Sequence, residues 1–322
     1  MGEGKSFDLT TREEPHMAVD CIGIDIGYGF TKTCQSEKDR QIFPTAVAMM
    51  TKEGAFEEVI PVVVNGRRYL VGKDAEREGG GYDTRRSSFV ASEAWLAVLG
   101  HCLWLNDFPN GDVVLGIPPG MYAKDYNRKI VNAIRTSDIR VKGEPCRIGG
   151  NIRIIPQGAG IFFCHIQNYP DDFRKNVAVI DIGHHTLDMV FFAEGKYVES
   201  ATETHRIGVS LVLDGIANTF LREHRRSIGF RTALDILRGK QVAYMGAPCP
   251  VDVREEVNGY VHQIDSIVDH YLEKLPAHPD LGVIGGGGAM IKDFAGRHGL
   301  LIVSEPAMAN AIGYWHYGRN AK

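Results

Sequence analysis

Two stretches of the chain are apolar at nearly every position and end alike. Cys21-Ile22-Gly23-Ile24-Asp25-Ile26-Gly27 and Val177-Ala178-Val179-Ile180-Asp181-Ile182-Gly183 each read as a strand buried on both faces, running through an aspartate into a glycine turn. After the first, residues 30–34 alternate and return as the second arm of a hairpin; residues 187–192 do the same after the second. Val62-Val63-Val64 and Tyr69-Leu70-Val71 flank Asn65-Gly66, which suits a type I′ turn and predicts a further hairpin. Helical periodicity covers 92–105, with Ser92 as its N-cap, and 122–134; between them, 113–117 reads as a strand stopped by Pro118-Pro119. Short strands near 138–142 and 151–155 lead to Pro156-Gln157-Gly158 and a helix through about 166. The second half continues with a strand at 196–200, helices at 209–225, 231–239 and 251–274, and a strand at 281–284. That strand enters Gly285-Gly286-Gly287-Gly288-Ala289, and a helix, a strand at 300–303 and a last helix from about 306 close the chain.

Strands, helices, strands and helices again, with each half opening on Asp-Ile-Gly, predict a duplicated α/β architecture: two similar cores facing one cleft. The helix over 156–169 is the expected hinge.

Composition fits that picture. The 322 residues have room for two domains. A formal net charge of -4 argues against chain-wide attraction to nucleic acid or acidic membranes. With 44% hydrophobic and 24% charged residues the chain reads as globular rather than disordered. The cysteines at 21, 34, 102, 146, 164 and 249 lack CxxC spacing and read as reduced, buried thiols. No apolar run approaches about 18 residues, so no membrane span is expected. The first 18 residues are polar and lack the apolar stretch of a signal peptide. Gly2 and Ser6 formally fit a myristoylation pattern, though nothing else suggests an anchor, and Met17 is an alternative start.

Four segments carry candidate chemistry. In Asp25-Ile26-Gly27-Tyr28-Gly29-Phe30-Thr31-Lys32 the two glycines let backbone N–H groups approach a phosphate. Asp25 suits the hydration shell of Mg²⁺, and Lys32 suits phosphate oxygens. Asp181-Ile182-Gly183-His184-His185-Thr186-Leu187-Asp188 repeats the plan 156 residues later, and two such turns facing each other would grip a polyphosphate from both sides. His184-His185 invites a zinc reading but has no third ligand at a recognisable spacing. Gly285, Gly286, Gly287 and Gly288 leave a flat surface for a purine or an α-phosphate beside a helix start. Neither a dinucleotide GxGxxG with its acidic partner nor a P-loop is present. Gln157, between the halves, is placed to orient an attacking water. The basic loop from Gly79 to Arg86 is open to contact with a neighbouring subunit, an adaptor or the cleft, and equally to being a solvated loop between a hairpin and a helix.

In this order and spacing the four segments resemble the actin-like ATPase superfamily, most of all the plasmid-segregating ParM/StbA proteins and related archaeal actins. Arg206-Ile207-Gly208-Val209 before a helix fits the same branch. His184, His185 and Tyr28 are bulkier than the small residues usual in the two phosphate loops. The resemblance implies duplicated ribonuclease-H-like domains of actin type around an interdomain nucleotide cleft. Residues 1–18 would be a tail, 19–165 one domain completed by a C-terminal helix at 306–322, and 166–305 the other. It implies ATP, with GTP as an option, and Mg²⁺ held through water by Asp25 and Asp181. Gln157, Asp181 and Asp25 would be catalytic. Phosphate would be held at Gly27, Tyr28, Gly29, Phe30, Thr31 and Lys32, and at Gly183, His184, His185 and Thr186. The nucleoside would lie against Gly285–Gly288, with Asp235 and Lys240 as further candidates. It further implies self-association into dynamic filaments in the cytoplasm, a DNA-binding adaptor rather than direct nucleic-acid contact, and no membrane. A small-molecule kinase using Asp188 as base, or a scaffold without a segregation role, are the alternatives.

Overall fold

The computed structural model describes residues 21–50, 59–78, 81–86, 88–107, 110–287 and 291–320; the 1–18 segment, Gly79, Gly80 and Gly288 lie outside them. The first half opens with β1 (Cys21–Ile26), β2 (Phe30–Cys34), β3 (Arg40–Pro44) and β4 (Val47–Met49). It continues through β5 (Val62–Val64), β6 (Arg67–Val71), α1 (Lys73–Arg77), α2 (Glu93–Leu105) and β7 (Asp112–Ile117). Then come α3 (Lys124–Thr136), β8 (Ile139–Val141), β9 (Glu144–Pro145), β10 (Ile152–Pro156) and α4 (Ala159–Asn168). The second half begins with β11 (Val177–Ile182), β12 (Leu187–Ala193), β13 (Lys196–Tyr197), β14 (Glu203–His205), α5 (Ser210–His224) and α6 (Phe230–Leu237). It ends with β15 (Ala243–Tyr244), β16 (Ala247–Pro248), α7 (Arg254–Lys274), β17 (Leu281–Gly286), α8 (Ile291–His298), β18 (Leu301–Ile302) and α9 (Ala309–Asn320).

The two main sheets have matching strand orders, β3-β2-β1-β7-β10 and β13-β12-β11-β17-β18. β1 and β11 sit at their centres and are buried along their whole lengths, which is why both read as unbroken apolar runs. The match extends to register. Asp25 stands opposite Lys32 on β2 and Gly116 on β7; Asp181 stands opposite Asp188 on β12 and Gly285 on β17. The strands β3, β4, β9, β14, β15 and β16 were not anticipated: Arg40-Gln41-Ile42-Phe43-Pro44 has neither clean alternation nor a long apolar run.

Each half has its own apolar core, and a third cluster joins them through α4 and α9. In that cluster Phe162 of α4 stacks on Phe192 of β12 at 3.9 Å. The helices cross with their backbones in contact. A Cβ on Gly160 would lie 2.5 Å from the Asn310 carbonyl, and one on Gly313 would fall on the Gly160 carbonyl. Only glycine allows this approach. α9 also lies on β1, where Gly23 leaves room for the Ala311 carbonyl, so the last helix packs into the first half's sheet. All six cysteines are buried and unpaired. No helix among the described residues is long and apolar enough to cross a membrane.

Gly313→Ala should destabilise the protein by about 3 kcal/mol or more, because backbone, unlike a side-chain end, cannot yield. Gly259→Ala, inside α7 where nothing lies within 4 Å, should not lower the urea midpoint. Equal midpoints for the two variants would refute the close-packed crossing.

Candidate functional site

The central-strand aspartates of both halves face one cavity of about 220 Å³, bounded also by Gly27, Tyr28, Gly29, Phe30, Lys32, Gln157, Gly183, His184 and Thr186. Thr31 is buried behind it and bonds Thr45 at 2.8 Å. Asp25 accepts from Lys32 Nζ and from Gln157 Nε2, both at 2.9 Å. Gln157 is anchored through its backbone, whose N–H donates to the Ile117 carbonyl at 2.7 Å. The neighbouring Gly158, at φ 83, caps α4, and its N–H donates to Asn310 Oδ1 at 3.0 Å. Asn310 Nδ2 in turn donates to Asp181 Oδ2 at 2.7 Å. Residues 157 and 158 therefore reach both aspartates, one directly and one through α9.

Burial and the nearby Asp25 carboxylate push the Asp181 carboxyl up to about 6. Asp188 accepts from Thr186 and Thr204 hydroxyls, each at 2.7 Å. Burial and the facing Asp181 nonetheless push it up to about 7. The first hairpin thus opposes its aspartate with an ammonium, and the second opposes it with another carboxylate.

The two turns interlock. The His184 ring lies over Gly29, where a Cβ would meet it at 2.5 Å. Tyr28 meets His185 edge-on at 5.4 Å between ring centres, and His184 meets Phe230 of α6 at 4.8 Å. Burial, then His185, Arg85 and Lys32, push His184 down to about 4; burial and Arg85 lower His185. Both rings are therefore neutral at pH 7. The bulk that the sequence shows at 184 is accommodated because Gly29 has no side chain. The amide N–H groups of Tyr28, Gly29, His184 and His185 donate to nothing among the described residues. Thr84 of the basic loop donates to the Tyr28 carbonyl at 2.7 Å, which puts residues 81–86 against the first turn.

Gly285 pairs with Asp181 in the sheet, under Ile161 of α4, while Gly286 and Gly287 line the cavity at φ 77 and 50. Asp235 and Lys240 are not brought to the cavity; they bond each other at 2.8 Å on the outer side of α6. Phe230, Leu234, Leu237 and Arg238 of that helix line it instead. These and Asn310 are among the lining residues that sequence reasoning missed, as are Ile42, Leu213 and Pro306. On paper the apolar positions of α6 look like ordinary core.

Among the described residues no group of three or more His, Cys, Asp or Glu side chains is preassembled for a metal. The donors present nevertheless suit Mg²⁺, which takes one or two carboxylates and completes its shell with water and phosphate. Asp181, buried with only an amide donor against it, has charge for a cation to meet.

Comparison with known proteins follows the same lines. Residues 23–160 match the family described as actin like proteins N terminal domain. The archaeal actin homologue Ta0583, in complex with ADP, superposes with a TM-score of 0.75 at 19% identity, covering 94% of this chain and 100% of its own. ParM from Clostridium botulinum, in a 15-stranded filament, gives 0.71 at 21% identity over 94% and 100%. MreB5 of Spiroplasma citri bound to AMPPNP gives 0.64 at 18% over 94% and 96%. No curated protein sequence matches the chain. The first half thus carries an actin-like N-terminal domain. The chain as a whole has the two-domain fold found in ParM proteins and the archaeal actin homologue.

Raised carboxyl groups set the pH response of the unliganded protein. The folded form holds its protons on Asp181 and Asp188 more tightly than the unfolded chain, where a carboxyl titrates near 3.9. Their contribution is therefore fully present below about pH 4. It is lost as pH rises through about 6 and 7. Asp188→Asn, which can still bond both threonines, should flatten this decline in urea midpoints between pH 5 and 8. An unchanged slope would mean that Asp188 is ionised throughout.

Proposed function

We propose that the chain binds a magnesium nucleoside triphosphate between its halves, hydrolyses it, and assembles into filaments whose stability follows the bound nucleotide. The observation that carries this reading is the pair of hydrogen-bonded lines, Lys32–Asp25–Gln157 and Gly158–Asn310–Asp181, meeting at adjacent residues beside one cavity. The neighbours lend support: two were solved with ADP or AMPPNP, and one is a filament.

In this reading the free amides of the two turns and the Lys32 ammonium hold the phosphates. Asp25 and Asp181 would hold the waters of Mg²⁺, which when bound offsets charge on the phosphate oxygens. Gln157, positioned by its own backbone and by Asp25, orients the attacking water. Neutral His184 and His185 close the turns over the phosphates and exclude bulk solvent. Asp188 has both oxygens taken by threonine hydroxyls, which disfavours its use as the base of a small-molecule kinase. Filament dynamics follow if the triphosphate favours the relative setting of the halves that packs best against a second copy. Segregation of plasmid or other DNA through a separate DNA-binding adaptor, in the cytoplasm, is the cellular role we assign to such a filament.

Light scattering and phosphate release followed together should rise with Mg-ATP or Mg-GTP, with scattering decaying as phosphate accumulates; the diphosphates should give no lasting rise. Phosphate release without scattering at any protein concentration would remove the filament from the proposal. Gln157→Ala should bind nucleotide but release phosphate about 10²-fold more slowly, the cost of a misplaced reactant. Its filaments should outlast those of the parent. Loss of binding would show Gln157 to be a support for Asp25 instead.

A further inference from the structure

The last helix treats the two aspartates differently. Asn310, in the first turn of α9, donates to Asp181 at 2.7 Å. One turn on, Tyr314 is fully buried, with its ring in a notch between Gly160 of α4 and Gly116 of β7. A Cβ on Gly160 would lie 2.5 Å from ring carbon Cε1, and one on Gly116 would fall on the hydroxyl. Gly116 is the register partner of Asp25 on the neighbouring strand. Asp25 shares a face of β1 with Gly23, which lies under α9, whereas Ile22 and Ile24 point into the first core. The Tyr314 hydroxyl therefore stands where a side chain next to Asp25 would be, one strand spacing of about 4.8 Å across the sheet. Burial, then the Asp25, Asp181 and Asp188 carboxylates, raise the phenol well above its usual range, so it remains a donor. It nevertheless bonds nothing among the described residues. A buried donor left unpaired destabilises the fold that holds it, and native structures keep few without a reason.

Asp25 supplies the reason. Its Oδ1 accepts from Gln157 and its Oδ2 from Lys32, each at 2.9 Å. A carboxylate has lone pairs for about four donors. When Lys32 is drawn to a phosphate, Oδ2 loses its partner, and the Tyr314 hydroxyl is an uncommitted donor on the same face of the sheet. We infer that Tyr314 is a positioning residue for Asp25, its hydroxyl taking the carboxylate oxygen that Lys32 releases on turning to the ligand. The inference rests on the nucleotide reading of the cleft for its trigger. The exchange keeps Asp25 in place while the lysine is engaged elsewhere. It also makes binding satisfy a group left unpaired inside the α4–α9 crossing. Part of the affinity then comes from the hinge rather than from contacts with the ligand.

Y314F keeps the ring in its notch and removes only the oxygen. In the parent protein without ligand no bond is lost, so the urea midpoint should hold or rise. K32M frees Oδ2 with no ligand present. In that background Y314F should lower the midpoint by about 0.5 M, the loss of a bond to a charged group. In titration calorimetry with Mg²⁺ and the β,γ-imido analogue of ATP or GTP, Y314F should bind about ten-fold more weakly than the parent. A packing role alone would not give the variant opposite effects on the free and the liganded protein. A fall in the parent's midpoint, an equal response in both backgrounds, or full nucleotide affinity in Y314F would each overturn the inference. Binding of neither analogue by the parent would instead overturn the nucleotide reading, while the urea titrations still decide whether Tyr314 and Lys32 compete for Asp25.

Discussion

The contact between α4 and α9 at Gly160 and Gly313 is the constraint on which the rest of the molecule depends. It is a meeting of backbones, so it has almost no tolerance in distance. It fixes the angle between the two sheets and with it the separation of Asp25 and Asp181. Gln157 and Gly158 immediately precede α4, and Asn310 lies in the first turn of α9. The groups that hold the two aspartates are therefore parts of the same crossing. A hinge built this way transmits small rotations directly to the site, because no flexible side chain intervenes to absorb them.

The halves repeat in register but not in charge. At the position where the first hairpin has Lys32, the second has Asp188. The first turn is neutralised within its own sheet, whereas the second keeps two carboxylates face to face in a buried place. Such a pair is unfavourable unless a proton or a cation joins it. Electrostatic demand for a cation thus comes mainly from the second half, while the first supplies the fixed positive charge.

Much of this was legible in the sequence because buried central strands leave unbroken apolar runs, and turns that approach a ligand need glycine. Asp25, Asp181, Gln157 and Lys32 were visible on those grounds, and the structure gathers them at one cavity. The wall that α6 gives the cavity was not legible. Asp235 and Lys240 were expected beside the nucleoside from the resemblance, but charges five residues apart at a helix end satisfy each other first. Phe230, Leu234 and Leu237 occupy an apolar face that has the same period whether it meets a core or a ligand. Asn310 was hidden for a different reason: its partners at 158 and 181 are distant in sequence, and no local pattern marks a polar side chain that bridges two halves.

The packing of α9 onto β1 and β7 also governs the order of events on the ribosome. The sheet it covers is complete, apart from β10, once residue 117 has been made, but its covering helix begins at 309. At ordinary elongation rates that interval is roughly 10–40 s, during which one face of the first sheet lacks its partner. Until α9 is made, the apolar face of β1 and β7 that it covers stays without its partner, so the first half completes its packing only after most of the second has been synthesised.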